Sequence, residues 1–321
     1  MRKTTKKWLV IAASLVVLGL ILFTAVMAVN HWDFTRLSTV TYETNTYQIK
    51  EEFHNIAIMD TDTADILFAP SDDGTCKVVC YEEKNAKHSA AVYDGTLTIH
   101  AANEKKWYEY IGISFGSPKI TVYLPEAEYG EVFIKESTGD VEIPEEFKFE
   151  SMDVSAGTGD VTCGASVSEG TVIKTSTGDI RVENASAGMF DLSVSTGEVN
   201  AQSITCEGEV AIHVSTGDTR LTDVACKGLL SSGSTGDITL QNVTATEAFS
   251  IDRTTGDVRL DGCDAAGIFI KTTTGDVKGS LLTDKVFLPQ SKTGRVDVPK
   301  TASGGRCEIT TSTGDIKIEI R

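Results

Sequence analysis

From about residue 131 onward, apolar and polar side chains alternate in short bursts, and a Thr-Gly-Asp corner interrupts each burst at the same point. The corner recurs at Thr138-Gly139-Asp140, Thr158-Gly159-Asp160, Thr177-Gly178-Asp179, Thr196-Gly197-Glu198, Thr216-Gly217-Asp218, Thr235-Gly236-Asp237, Thr255-Gly256-Asp257, Thr274-Gly275-Asp276, Thr293-Gly294-Arg295 and Thr313-Gly314-Asp315, at intervals of 19 or 20 residues. A fixed period of this length is the signature of a solenoid. With the corner Thr as position zero, position −4 is apolar or Pro in nine of ten copies, and position −6 is apolar in nine, with Phe190, Phe249 and Phe287 the bulkiest. Position −3 (Lys135, Ser155, Lys174, Ser193, His213) is polar, which describes a strand with one buried face. Beyond the Gly, positions +3 (Val141, Val161, Ile180) and +5 (Ile143, Val182, Leu221) resume the alternation, and a weaker apolar point follows near +8 at Ile204, Val224, Val243, Cys263 and Leu282.

A repeat this short has no room for a helix. The pattern therefore predicts an all-β fold, a single-stranded β-helix (β-solenoid) of about ten coils of 19–20 residues. At the usual interstrand spacing it forms a rod roughly 45–50 Å long. Its column of Val, Ile, Leu and Phe should hold Cys163, Cys263 and Cys307 as small inward hydrophobes. At the corner, Gly supplies positive φ cheaply, Asp bonds neighbouring backbone N–H groups, and the β-branched Thr stacks on its copies.

Residues 50–130 are less regular and read as a β region with an N-terminal cap. Asn55-Ile56-Ala57-Ile58 followed by Thr63-Ala64-Asp65-Ile66 looks like a decayed copy of the repeat, and residues 77–81, 96–100 and 119–124 alternate as strands. An aromatic cluster at Trp107, Tyr108, Tyr110, Ile111 and Phe115 marks a larger turn covering the first coil. Residues 30–49 read as a linker, and 131–321 as the repeats. The tenth coil, ending at Arg321, is expected to present an open edge that either Lys317, Glu319 and Arg321 blunt or a second copy of the chain pairs with, giving a homodimer.

Residues 8–29 are 22 uncharged positions preceded by Arg2, Lys3, Lys6 and Lys7. That length crosses a hydrocarbon core, and the preceding cations place residues 1–7 in the cytoplasm and the bulk of the chain outside. A cleaved signal peptide, with Val26-Met27-Ala28 as its site, is the rival reading; the length favours an anchor. The net charge of −17 rises to −21 beyond the anchor, because its four cations leave 25 basic against 46 acidic residues. Such a surface excludes nucleic acid as a partner, since phosphates are held by clustered cations. The seven cysteines are odd in number and match no small cystine scaffold, so they are expected to be reduced and buried.

Nine acids share the last corner position. Asp140, Asp160, Asp179, Asp218, Asp237, Asp257 and Asp276 form the heart of a candidate calcium ladder, since stacked carboxylates repel unless hydrogen-bonded, hydrated or bridged by cations. One acid per coil without nonapeptide spacing favours turn-capping over a metal site. No cofactor site and no catalytic set emerges: His213 lies outward in the repeats, while His31, His54, His88 and His100 are scattered and read as surface residues. The alternative, a polysaccharide-active β-helix enzyme, needs a cleft made by inserted loops, and no coil departs from the period by more than a residue. Ice binding through Thr rows fails because Glu136, Val194, Val214, Gly233 and Arg253 interrupt the −2 row.

The apolar anchor, the 119–125 strand ending in Tyr123-Leu124-Pro125 and the run of Ser-Thr-Gly-Asp corners together resemble the bacterial putative-adhesin family of unknown function, including LiaG-like membrane proteins of cell-envelope stress operons. The resemblance runs from about residue 50 to the end. It implies a β-solenoid ectodomain, with no activity, cofactor or catalytic residue to carry over. The expectation is thus a single-pass membrane protein whose extracytoplasmic solenoid binds a cell-envelope protein or wall polymer.

Overall fold

The computed structural model describes residues 3–33, 40–61, 63–102 and 116–321. The aromatic cluster at 107–115 lies outside the described residues. The N-terminal helix Lys3–Val29 contains a stretch, Thr5–Val29, long and apolar enough to cross a membrane, with a mean hydropathy of 2.8. A signal sequence near the N-terminus can meet the same criteria of length and apolar composition.

The remainder is a β-solenoid of about ten turns. Each corner Thr pairs with its copy in the next coil: Glu128–Thr138 is parallel to Lys148–Thr158, which is parallel to Ser166–Thr177, with Thr138, Thr158 and Thr177 in register. The short strands after the corner, such as Val141–Ile143, Val161–Cys163 and Ile180–Glu183, form a second parallel ladder of the same continuous sheet. Side chains at −6, −4, +3 and +5 meet inside as one continuous hydrophobic column, including Val154, Phe190, Leu221, Phe249 and Ile270. All seven cysteines are buried and unbridged, Cys163, Cys263 and Cys307 among them. Of the +8 residues, Ile204, Val224, Val243 and Cys263 are buried but Leu282 is exposed. A register shift between Leu260 and Cys263 hands that inward place to Leu281.

At both ends the spatial order of coils departs from the chain order. The decayed copy, Asn55–Met59 and Asp65–Pro70, packs directly on the first regular coil, pairing parallel with Glu128–Thr138 and Val141–Ile143. Thr96–Ala101 and Lys119–Leu124, later in sequence, form the coil outside it. That outer coil is covered by antiparallel strands: His88–Tyr93 on Thr96–Ala101, and Cys76–Glu83 on Lys119–Leu124. Tyr42–Ile49, within the segment expected to be a linker, is a strand antiparallel to Cys76–Glu83. Its alternation of Tyr, Thr and Asn suits an outermost strand with one wet face.

At the far end, Gly305–Thr313 and Ile316–Ile320 insert between the coil of Val258–Thr274 and Val277–Leu281 and the coil of Lys285–Thr293 and Val296–Asp297. The coil ending near Arg321 is therefore paired on both sides, which corrects the expectation that it offers an open edge to a second copy. At this end, among the described residues, Lys285–Thr293 and Val296–Asp297 are the strands paired on one side only. Their sequence carries edge features: Pro289, which lacks an N–H, and the cations Lys292 and Arg295.

Candidate functional site

The corner is where the repeat carries both its strain and its charge. Gly139, Gly159, Gly178, Gly197, Gly217, Gly236, Gly256, Gly275 and Gly314 all hold φ between +126° and +156°. Each corner also lies against the carbonyl of its neighbour, so that a Cβ on Gly236 would stand 2.0 Å from the Gly217 oxygen. The Gly N–H donates to the corner Thr carbonyl of the following coil, as in Gly236 N to Thr255 O at 3.0 Å.

The acid that follows works between coils. Asp160 N donates to Asp140 Oδ1 at 2.8 Å, Asp179 N to Asp160 Oδ1 at 2.9 Å, Asp237 N to Asp218 Oδ1 at 2.8 Å, Asp257 N to Asp237 Oδ1 at 2.9 Å and Asp276 N to Asp257 Oδ1 at 2.9 Å. The ladder begins at Asp65, which accepts from Asp140 N, and passes from Asp276 to Asp315 N and from Asp315 to Arg295 N. Arg295 stands in the coil with no further neighbour, so no N–H waits for a carboxylate there. The second carboxylate oxygens of Asp160, Asp179, Asp237, Asp257 and Asp276 meet the protein's own cations. Arg181 forks across Asp160 and Asp179 at 2.9 and 2.8 Å, Arg259 across Asp237 and Asp257 at 2.7 and 2.8 Å, and Lys278 reaches Asp276 at 2.5 Å. Arg181 and Lys278 hold Asp160 and Asp276 below the ordinary carboxylate value; at Asp237 desolvation is the largest single effect and raises the pKa, but the Arg259 bond, the Asp257 backbone N–H and the charges of Arg259 and Arg253 together outweigh it, so the net direction is also down.

The exposed face leading into the corner is a flat hydroxyl ridge. The corner threonines form one ladder and are exposed from Thr138 through Thr313, flanked by exposed Ser137, Ser176, Ser195 and Ser234. The −2 row points inward instead: Thr175, Thr272 and Thr311 donate to the carbonyls of Gly159, Gly256 and Gly275. In that same row Arg253 is fully buried, with Nη1 on Val214 O at 2.8 Å and Nη2 on Thr219 Oγ1 at 3.2 Å, and burial lowers its pKa. It reaches two coils back because Gly233 lies between, where a Cβ would sit 2.0 Å from Nη1. Two of the five residues that interrupt the row, Gly233 and Arg253, are a matched pair.

His213 is exposed, within 3.0 Å of Ser232 Oγ and 3.2 Å of Ser215 Oγ, and His54 is exposed near Glu150. His88 is not a surface residue: it is 5% exposed, with Nδ1 2.7 Å from Glu82 Oε2. The repeat-based reading missed this contact because it spans the turn between two strands outside the repeats and has no fixed spacing.

The family model described as Toastrack DUF4097 matches residues 53–319. Among solved structures, the chain is similar to a putative adhesin from Bacteroides fragilis at 18% identity, with 87% of this chain and 97% of that one covered and a TM-score of 0.40. A putative adhesin from Parabacteroides distasonis shows 12% identity over 87% and 98% of the two chains, with a TM-score of 0.44. A putative lipid binding protein from Parabacteroides distasonis shows 14% identity over 88% and 98%, with a TM-score of 0.35. No curated protein matches the chain.

Proposed function

The chain belongs to the Toastrack DUF4097 family, and from that premise we propose that it is a membrane-anchored, extracytoplasmic binding or scaffolding rod without catalytic activity. In this reading residues 1–7 are cytoplasmic, 8–29 cross the bilayer, 50–130 close one end of the rod and 131–321 supply its length. The partner is a cell-envelope protein or a wall polymer. The observation that carries the reading is the regular exposed ridge of corner threonines and serines, on coils whose corner threonines stay in register from Thr138 to Thr313. Such a ridge offers a partner many equivalent hydroxyls at the strand spacing of about 4.8 Å, and an extended partner gains from each repeat in turn.

The test uses the full chain in detergent or reconstituted vesicles. Binding to purified wall polymer or an identified envelope protein should fall when Ser176, Ser195 and Thr196 are replaced together by Glu, with the melting temperature unchanged. Turnover of envelope polysaccharide by the pure protein would overturn the reading in favour of a β-helix enzyme.

A further inference from the structure

Where Tyr42–Ile49, Cys76–Glu83 and His88–Tyr93 meet, Cys80, Glu82 and His88 bring a thiol, a carboxylate oxygen and an imidazole nitrogen within 4.8 Å of one another, all buried. We propose that this cluster is a structural zinc site clamping the reversed strands that cover the end of the solenoid.

The donor chemistry selects the metal. A mixed set of thiolate, imidazole and carboxylate suits zinc and is poor for calcium or magnesium, which take oxygen. The surroundings are those of an oriented site. His88 Nε2 lies 3.1 Å from the Thr61 carbonyl, which only accepts, so Nε2 carries a hydrogen and Nδ1 is the nitrogen that faces Glu82 and Cys80. The Glu82 carboxylate is fixed through Oε1 by Asn45 Nδ2 at 2.6 Å, and through Oε2 by the His88 backbone N–H at 2.6 Å. Tyr47 donates to the His88 carbonyl. Thr61, whose carbonyl holds the ring, is 1% exposed, and its hydroxyl has no hydrogen-bond partner among the described residues.

His88 Nδ1 and Glu82 Oε2 face one another at 2.7 Å. Zinc takes cysteine as the thiolate, so loading releases the proton of the Cys80 thiol. The Nδ1 to Oε2 contact must open by about half an ångström to admit bonds near 2.0 Å to each.

The experiment is metal titration of the full chain in detergent after chelator treatment. Zinc should bind with proton release and raise the melting temperature, and cobalt should give a thiolate-to-metal charge-transfer band. Cys80→Ser should abolish that band, while Cys76→Ser, four residues earlier on the same strand, should keep it. His88→Gln should weaken zinc binding by tenfold or more. If either ligand variant fails to fold, the cobalt spectrum of the wild-type chain and its Cys76→Ser variant still decides. Cobalt binding without a thiolate band, or no zinc binding by the wild-type chain, overturns the proposal.

Discussion

A single residue type decides whether a coil can turn onto its neighbour. Gly236 combines φ of +126° with a Cβ direction 2.0 Å from the Gly217 oxygen, so any side chain meets both backbone strain and collision. Gly236→Val should cost at least about 2 kcal/mol, whereas exposed Ser234→Ala should stay within about 0.5 kcal/mol. Equal melting temperatures for the two variants would refute this account of the corner. A second turn row was hidden in the sequence: Asn184, Ser203, Asp223, Asn242 and Gly262, seven residues after the corner Thr, hold φ between 52° and 63°. Asn, Asp and Gly tolerate this conformation for different reasons, so the row has no shared letter for self-comparison to find. The pairing of Gly233 with Arg253 was equally invisible, since it joins one coil's missing side chain to another coil's long one.

Between elements, the acid ladder is a chain of backbone caps. Each rung satisfies an N–H at the bend, where the parallel sheet has no carbonyl to offer it. We propose that the ladder of Asp140, Asp160, Asp179, Asp218, Asp237, Asp257 and Asp276 caps turns and does not bind calcium. The melting temperature should then be unchanged in millimolar calcium, and a rise of several degrees would sink the idea. Acid is the condition that should matter. The pKa values of Asp160, Asp237 and Asp276 are lowered from 3.8 in the fold, so their contribution is complete above the unfolded value and is lost as pH falls through the folded one. Unfolding should accordingly set in below about pH 4. It should respond modestly to salt, because these carboxylates are partly exposed and their ion pairs are screened. A flat melting temperature from pH 5 to pH 2 would contradict it.

On the scale of the molecule, both ends of the rod are locked by strands taken out of order. Gly305–Thr313 and Ile316–Ile320 fill the gap between two coils that precede them in sequence. Truncation after residue 299 should therefore do more than shorten the rod. It removes the partner of Lys285–Thr293 and uncovers Val258–Thr274 and Val277–Leu281, so the melting temperature should fall and the remaining terminal coil should become protease-sensitive. A truncated chain as stable and as resistant as the whole would show that the insertion contributes nothing. The edge left outermost in the intact rod, with Pro289 and Arg295, suits solvent better than pairing with a second copy.

The sequence by itself determined the coil: its period, its inward rows, its glycine corner and the acid beside it, because each is set by interactions that recur between adjacent repeats and so leave a periodic trace. Tertiary structure alone decided which coil lies next to which at the two ends and brought Cys80, Glu82 and His88 together. Those contacts each occur once, between strands whose pairing follows from the packing of exposed edges, and a contact made once leaves no period to read.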